Sequence, residues 1–313
     1  MQYHYVYNLA IVCIIYLLNA CNHNPIPTTT ISSSSHIVAT HSSNLPLDNI
    51  LPHSLKWQLV WQDEFNEKGL PSAQNWSFEE QPAGWVNNEL QHYVGANLKN
   101  VRQADGNLII EARRAIIDGK ETYTSARIHS QKKAEWLYGR IEARIKIPKG
   151  KGTWPAFWMM PTNIWKYATT CSSQTGWTQN CDAWPNSGEI DIMEHVGKTP
   201  GTVHASVHSA DYYFKLGNHR TAHYNLTTAT DSFHVYAVEW NTNQLDFFVD
   251  SVKILTVKND QSGWKAWPFD QPFYLIFNLA IGGDWGGTPD STIFTDSSGP
   301  KLYVDYVRVY KLP

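Results

Sequence analysis

The sequence predicts an all-β fold, in which two antiparallel sheets pack as a sandwich and one of them curves around a concave cleft. Short segments alternate apolar and polar residues with a period of two and are rich in β-branched and aromatic residues. Gly, Pro, Asn and Asp separate these segments, and no long stretch has helical periodicity. Many short strands between about Trp57 and Tyr310, without an internal repeat, favour one sandwich over two domains.

Five segments show the alternation most clearly, and we predict a strand in each. The first of them follows an Asp-Gly turn, which is a strong signal for the start of a strand. The segments are residues 107–113, 139–147, 234–240, 245–250 and 303–310.

The composition limits the class of partner. The 313 residues have a formal net charge of −3 and no long basic run, which argues against nucleic-acid binding. A neutral polysaccharide is favoured over a strongly anionic one. Aromatic residues make up 13% of the chain and include 14 Trp, and a flat ring matches the C–H face of a pyranose sugar. Most of these Trp are expected in the core, and the remainder are available to line a cleft.

The N-terminal part is predicted to be an export signal followed by a tether. The apolar run at residues 9–20 is shorter than the roughly 20 residues that span a bilayer, so it is typical of a signal-peptide core. The following Leu-Asn-Ala-Cys resembles the bacterial lipoprotein cleavage box, although residues 1–8 contain no Lys or Arg. We therefore expect a signal peptide at residues 1–20, lipidation of Cys21 and attachment to a bacterial membrane, at the outer membrane or cell surface. An ordinary cleaved signal is the alternative.

Residues 21–54 are rich in Ser, Thr, Pro and Asn, so we expect a flexible tether there and a folded domain at residues 55–313. Two cysteines remain beyond Cys13 in the signal core and the lipid candidate: Cys171 and Cys181, ten positions apart in a polar loop. In an exported protein this pair predicts a disulfide. Metal binding is the weaker alternative, because no further Cys or His lies at ligand spacing.

The run G-E-I-D-I-M-E-H-V-G between Gly188 and Gly197 carries three candidate catalytic acids. Glu189 and Asp191 share one face of a strand, whereas the odd offset of Glu194 would put it on the other face. A β-bulge at Ile192-Met193 would bring Glu194 back to the face of the other two acids. Clustered carboxylates suit glycosidic-bond hydrolysis, in which one acid attacks and another donates a proton. A calcium site and an exposed acidic strand are the alternatives.

Eight segments make the chain similar to glycoside hydrolase family 16, and within it to the bacterial laminarinases, which are endo-1,3-β-glucanases. The likeness covers nearly the whole folded part. The segments are W-Q-D-E-F at Trp61, N-E-L-Q-H-Y at Asn88, D-G-N-L at Asp105, W-P-A-F-W-M-M-P at Trp154, the acidic run at Gly188, V-H-A-S-V-H at Val203, W-P-F-D-Q-P-F-Y at Trp267 and N-L-A-I-G-G at Asn278.

The resemblance implies a concanavalin A-like jelly roll and a role for each acid. Glu189 would be the nucleophile of a retaining double displacement and Glu194 the acid/base, and Asp191 would tune their protonation. No cofactor is expected for catalysis. The expected partner is a β-glucan, and the membrane is contacted only through the lipid anchor. We expect the protein to be a monomer.

Further residues are expected around the cleft. Trp154 and Trp158 lie four apart on one strand face, and the resemblance places them beside the scissile bond, although core packing is the alternative. The remaining expected substrate contacts are Asn87, Glu89, Arg127, Trp184 and His208; loop anchoring is the alternative for the first three. A metal site from His204 and His208 is disfavoured, because the sequence shows no third ligand.

Two further predictions concern a calcium site and the long connection before the acidic run. The resemblance implies a structural calcium ion on the convex side, held by Glu64, Asp305 and the carbonyl of Gly106, with capping of surface hydrogen bonds as the alternative. The connection from Pro161 to Ser187 is longer than the resemblance leads one to expect. We expect its disulfide to stiffen a loop that shapes one end of the cleft.

Three other functions stay open at this point. A carbohydrate-binding module or lectin would keep the aromatic cleft without needing the acidic run. Agarase, porphyranase and carrageenase relatives share the bulged run and act on galactans. A transglycosylase would pass the glycosyl-enzyme to a sugar instead of water.

Overall fold

The computed structural model describes residues 57–295 and 298–313, and the predicted signal peptide and tether with Cys21 lie outside this part. The first ten strands are β1 Gln58–Asp63, β2 Ser77–Phe78, β3 Glu80–Gln81, β4 Gln91–Val94, β5 Val101–Ala104, β6 Asn107–Glu111, β7 Arg113–Ile117, β8 Lys120–Ser125, β9 Arg127–His129 and β10 Gly139–Lys146. The others are β11 Thr153–Pro161, β12 Glu189–His195, β13 Thr202–His208, β14 Arg220–Asn225, β15 His234–Trp240, β16 Gln244–Val249, β17 Val252–Lys258, β18 Phe273–Ile281 and β19 Lys301–Lys311.

Helical structure in the described residues is limited to four single turns. They are α1 Ala183–Asn186, α2 Gly283–Gly286 and two 3₁₀ turns at Phe214–Leu216 and Ser291–Ile293. Within the described ranges, none of these is long or apolar enough to cross a membrane.

Two large antiparallel sheets form the sandwich. The first has the order β17-β16-β15-β10-β19-β6-β5, with β1 paired to β19. The second has the order β14-β13-β12-β11-β18-β9-β2. A third, smaller sheet of order β3-β4-β8-β7 was not predicted, and in it β4 and β8 run parallel.

The core lies between the two large sheets, because alternate residues of each strand point inward and are apolar. On β12 these inward residues are Ile190, Ile192 and Met193, and all three are at most 1% exposed. Phe157 on β11 stacks against Phe277 on β18, with ring centroids 4.7 Å apart. The outward face of β11 and β12 is therefore left for polar and aromatic residues.

The predicted fold class is confirmed, and the five predicted strands are present. The segment at residues 234–240 matches β15 end to end, and that at 139–147 ends one residue after β10. The segment at 245–250 is shifted by one residue relative to β16. The segment at 107–113 is divided between β6 and β7, since the chain passes from the large sheet to the small one at Ala112.

Candidate active site

A row of direct cross-strand neighbours runs across six strands of the second large sheet. Direct partners in antiparallel strands point to the same face, so this row lies on one side of the sheet. Its members, from β9 to β14, are Arg127, Asn278, Ala156, Glu194, His204 and His223. The row thus joins one candidate catalytic acid to a predicted sugar contact, with histidines on the far side.

The predicted bulge in β12 is present. Asp191 pairs with Ser206 and Glu194 pairs with His204, so three steps along β12 correspond to two along β13. Ile192 and Met193 absorb the additional residue and stay in the core. The bulge places Glu194 on the face of Asp191, as the spacing predicts.

A side chain would not fit at Gly188 or Gly197, the glycines at the two ends of the acidic run. Gly188 has φ +93°, and a Cβ there would lie 2.9 Å from Pro268 Cγ and 3.2 Å from Phe273. At Gly197 a Cβ would lie 1.8 Å from the carbonyl oxygen of Gly150. Glycine is therefore required at both positions, because neighbouring side chains crowd Gly188 and the backbone of Gly150 crowds Gly197.

Each of the two outer acids accepts a hydrogen bond from a tryptophan. Trp184 Nε1 donates to Glu189 Oε2 at 2.8 Å, and Trp154 Nε1 donates to Glu194 Oε1 at 3.0 Å. Trp154 and Trp158 share the outward face of β11, as their spacing predicts. The structure therefore brings Trp154 and Trp184 to the acids themselves.

His208 lies beside the carboxyl groups of Asp191 and Glu189. Its Nε2 is 3.3 Å from Asp191 Oδ2 and 3.9 Å from Glu189 Oε1. In the described part of the chain, these three residues are the one group of three metal-ligating side chains with ligating atoms within 4.8 Å. His204 does not belong to this group.

Burial raises the pKa of all three acids. Burial and the charge of Asp191 raise the pKa of Glu189 to about 8, and nearby His208 acts in the opposite direction. Burial, and then the charge of Glu189, raise the pKa of Glu194 to about 7. Burial and the charge of Glu194 hold the pKa of Asp191 well above its usual range. The cluster therefore retains protons near neutral pH.

The three groups titrate together, so the location of the protons decides what the site can do. Asp191 is the most buried of the three and is the natural holder of one proton. Once Asp191 is neutral, its charge no longer raises the pKa of Glu189, which is then free to ionise. The arrangement can thus present a carboxylate at Glu189 and a proton at Glu194 together.

Glu89 is the centre of a buried hydrogen-bond network. Its carboxylate accepts from Gln91 at 2.7 Å, from Tyr93 at 3.2 Å and from Asn87 at 3.2 Å. Tyr93 in turn accepts from Asn278 at 3.2 Å. Glu89 is only 6% exposed, and its carboxylate holds the side chains of Asn87, Gln91 and Tyr93 in place. Its contact with substrate stays a prediction. Burial raises the pKa of Glu89, and these donors and Arg127 oppose that effect.

The hydrogen-bond network continues to the ring of Trp158. Asn278 accepts from Trp158 Nε1 at 2.7 Å, which fixes the ring of Trp158. The guanidinium of Arg127 lies 4.7 Å from the Trp158 ring centroid and 5.1 Å from that of Trp85. Asn87 has a left-handed backbone at φ 50° and sits beside Glu89. The predicted contacts Asn87, Arg127 and Trp158 are therefore held in one assembly.

A second aromatic group on the other side of Glu194 was not predicted. His204 Nδ1 is 2.6 Å from His223 Nδ1, and both Trp154 and His204 contact the ring of Trp285, at 5.3 and 4.8 Å. Burial, and then the neighbouring His223, lower the pKa of His204 to about 4. His204 is therefore neutral near pH 7. The spacing of His204 and His208 on β13 was the only signal for this group.

The connection between β11 and β12 contains the predicted disulfide, Cys171–Cys181. Asp182 organises this connection, since its carboxylate accepts from the backbone N–H groups of Thr169 and Thr170 at 2.8 and 3.0 Å. Trp184 lies two residues after Asp182 and donates to Glu189, so the connection leads into the acid cluster.

The residues predicted to hold calcium are paired with arginines. Arg308 donates to both oxygens of Glu64, at 2.7 and 2.8 Å, and Arg144 donates to Asp305 at 2.6 Å. Gly106 lies in the turn between β5 and β6. With both carboxylates committed to arginines, this set does not form a calcium cage as it stands. Calcium binding stays a prediction and would require both ion pairs to open.

A β-sandwich that gathers three carboxyl groups among tryptophans on an open sheet face has the features of a glycoside hydrolase. The family model of the glycosyl hydrolases family 16 matches residues 88–307. The chain belongs to this family.

Several relatives are similar to this protein over most of the chain. A β-glucanase of Rhodothermus marinus is 43% identical over 265 residues, which cover 83% of this chain and 86% of the relative. The X-ray structure of the laminarinase from Rhodothermus marinus has a TM-score of 0.73 at 43% identity, covering 82% of this chain and 98% of that one. A non-specific endo-β-1,3(4)-glucanase of family 16, crystallised with 1,3-β-D-cellotriosyl-glucose, has a TM-score of 0.72 at 37% identity, covering 82% of this chain and 95% of that one.

Proposed function

We propose that this chain is a retaining, endo-acting hydrolase of 1,3-β-D-glucosidic linkages in laminarin-like β-glucans. The observation that carries the proposal is the acid cluster: Glu189, Asp191 and Glu194 lie on one face of β12, beside the indoles of Trp154 and Trp184. The names of the relatives support the linkage, because they are glucanases and laminarinases that are similar over most of this chain.

In the first step, a carboxylate oxygen of Glu189 attacks the anomeric carbon of the sugar bound beside it. The bond from this carbon to the leaving oxygen breaks, and Glu194 transfers its proton to that oxygen. A glycosyl ester of Glu189 remains. The raised pKa of Glu194, caused by burial and the Glu189 charge, keeps the needed proton in place near neutral pH.

In the second step, the Glu194 carboxylate removes a proton from water. The water oxygen attacks the anomeric carbon and releases Glu189, so two inversions leave the configuration unchanged. Asp191 holds a proton between the two glutamates throughout. It lowers the negative charge of the cluster and so favours ionisation of Glu189.

The aromatic rings of the cleft would bind the glucan through their faces. Neutral indoles match the C–H faces of glucose, and the Asn87–Glu89 turn and Arg127 supply hydrogen-bond donors at the edge. The two indole donors orient the acids without adding charge.

Side-by-side digestion tests this proposal: laminarin, lichenan, agarose and carrageenan are each incubated with the protein, and the products are sized. We expect laminarin to be cut into short oligosaccharides from the start of the reaction, with the β-anomer formed first by NMR. Preferred cleavage of agarose or carrageenan would replace the glucanase proposal by a galactanase. Binding to laminarin without any new reducing ends would indicate a glycan-binding protein.

We also propose that the protein is exported and lipid-anchored through Cys21, and that it is a monomer. The disulfide between Cys171 and Cys181 supports export, because such bonds persist in oxidising compartments. Size-exclusion chromatography with light scattering tests the monomer.

A further inference from the structure

We propose that Trp165 and Trp177 form an additional binding surface for a neutral glucan chain, beside the Glu189 end of the acid cluster. The inference rests on the proposed function and adds a site to it. The two rings lie on the connection between β11 and β12, with centroids 5.2 Å apart and planes inclined at 51°. Trp177 is 61% exposed, whereas Trp165 is half-buried.

A disulfide and two hydrogen bonds constrain the loop that carries Trp177. The Cys171–Cys181 disulfide closes the segment that carries Trp177. Asp182 ties both ends of this segment together, through its hydrogen bonds with Thr169 and Thr170. A crosslinked loop loses less conformational entropy on binding than an open one, which favours a ligand contact at the exposed ring of Trp177.

The surface lies next to the catalytic strand. Ser187 donates its hydroxyl to the carbonyl of Ile164 at 2.6 Å and accepts from the backbone N–H of Tyr167 at 3.2 Å. Trp165 therefore sits in a segment bonded to Ser187. Since Ser187 precedes Glu189 by two residues, their Cα atoms are at most about 7 Å apart. The segment that carries Trp165 is thus anchored beside the start of the catalytic strand, where a glucan chain extending from the acid cluster on this side would reach the two rings.

The chemistry of the segment selects a neutral sugar. Residues 167–181 contain no Asp, Glu, Lys or Arg, and their polar side chains are hydroxyls and amides. The flanking charges are used internally: Lys166 pairs with Asp270 at 2.9 Å, and Asp182 accepts hydrogen bonds from the loop. Indole rings among hydroxyl and amide groups match the C–H faces and hydroxyls of a glucose chain, whereas an anionic polysaccharide finds no cation there.

The test compares long and short substrates in the Trp177→Ala variant. We expect KM for laminarin to rise about five- to tenfold with kcat unchanged, which corresponds to the loss of one aromatic contact. Cleavage of a β-1,3-linked tetrasaccharide, which fills only the acid cluster and its nearest neighbours, stays as in the wild type. Trp177→Tyr keeps a ring and restores most of the affinity. Leu98→Ala removes an exposed apolar side chain outside the connection and is the matched control.

Direct binding separates this inference from the proposed function. In a Glu189→Gln background, calorimetric titration with laminarin should show weaker binding after Trp177→Ala, by the same five- to tenfold factor. If the wild type cleaves laminarin and Trp177→Ala changes neither KM nor binding, the additional surface is refuted and the glucanase stands. If the wild type neither cleaves nor binds laminarin, the proposed function fails first.

Discussion

At the scale of single residues, Glu189 and Glu194 differ from the carboxylates of the arginine ion pairs in the groups that hold them. Glu64 and Asp305 are neutralised by arginines, whereas Glu189 and Glu194 receive neutral indole donors. An arginine at the same distance would hold a carboxylate ionised and unable to carry a proton. The indoles fix the orientation of Glu189 and Glu194 and leave their protonation to burial and to each other.

Glu189→Gln and Glu194→Gln should each lower kcat/KM on laminarin by about a thousandfold or more, because each removes a group that acts in the transition state. Both amides keep the shape of the carboxyl group, so the circular dichroism spectrum should be unchanged. Near-normal turnover in both variants would contradict the assignment of Glu189 and Glu194 as catalytic residues.

The roles of the two glutamates can then be separated. With azide added, a Glu189→Ala variant should give an α-glycosyl azide, because azide takes the place of the nucleophile. A Glu194→Ala variant should give the β-azide, since azide then intercepts the glycosyl-enzyme.

The pH profile should fall on its alkaline side as Glu194 loses its proton. Burial and the charge of Glu189 raise the pKa of Glu194 to about 7, so we expect the alkaline limb of kcat/KM with an apparent pKa near this value. The value belongs to the coupled cluster. A profile that stays flat up to pH 9 would exclude a carboxylic acid as the proton donor.

Stability should respond to the same groups. The folded acid cluster holds protons that the unfolded glutamates release at their ordinary pKa of 4.5, so the cluster destabilises the fold increasingly as pH rises from 4.5 towards 8. Glu189→Gln should therefore raise Tm by roughly 2–4 °C at pH 8 and by less at pH 5. Differential scanning calorimetry at both values checks the sign; an equal change at both would contradict it.

The sequence predicted the acids and their common face, because those follow from spacing along one strand. It could not predict that Tyr93 and Asn278 meet over Glu89, since 185 positions separate the first two and only the strand order brings them together. The pair His204–His223 was missed for the same reason. Contacts within a strand are encoded locally, and contacts between strands depend on topology.

At the scale of elements, the bulge in β12 and the connection after β11 have different origins. The bulge was predictable, because an odd offset between functional residues conflicts with alternation on a strand. The path of residues 161–187 was not, because a long polar loop has no periodicity. Only the cysteine pair indicated that two positions within this loop, Cys171 and Cys181, are held close together.

The disulfide should affect both stability and products. Replacing Cys171 and Cys181 by serine opens a loop of about ten residues, and the entropic estimate for such a loop is roughly 2–3 kcal/mol. We expect a lower Tm and a shift in the size distribution of laminarin products, measured by chromatography. An unchanged product pattern would indicate that the connection is only a surface loop. The wild-type protein treated with dithiothreitol provides the matched control.

At the scale of the whole molecule, attachment is predicted to be separate from catalysis. Cys21→Ser should move the protein from the membrane fraction to the soluble fraction, because it removes the residue that would be acylated. The specific activity of the released protein on laminarin should be unchanged. Wild-type protein that is already soluble after export would contradict the lipid anchor.

The position of strand β19 has a consequence for how this chain folds. It lies in the interior of its sheet, between β10 and β6, and also pairs with β1, although it is the last strand in the sequence. Without residues 301–311, β10 and β6 have no strand to join them, and the two halves of the sheet cannot close. Completion of this sheet therefore depends on contacts between residues far apart in the sequence, which is a feature of slowly folding β-sandwiches.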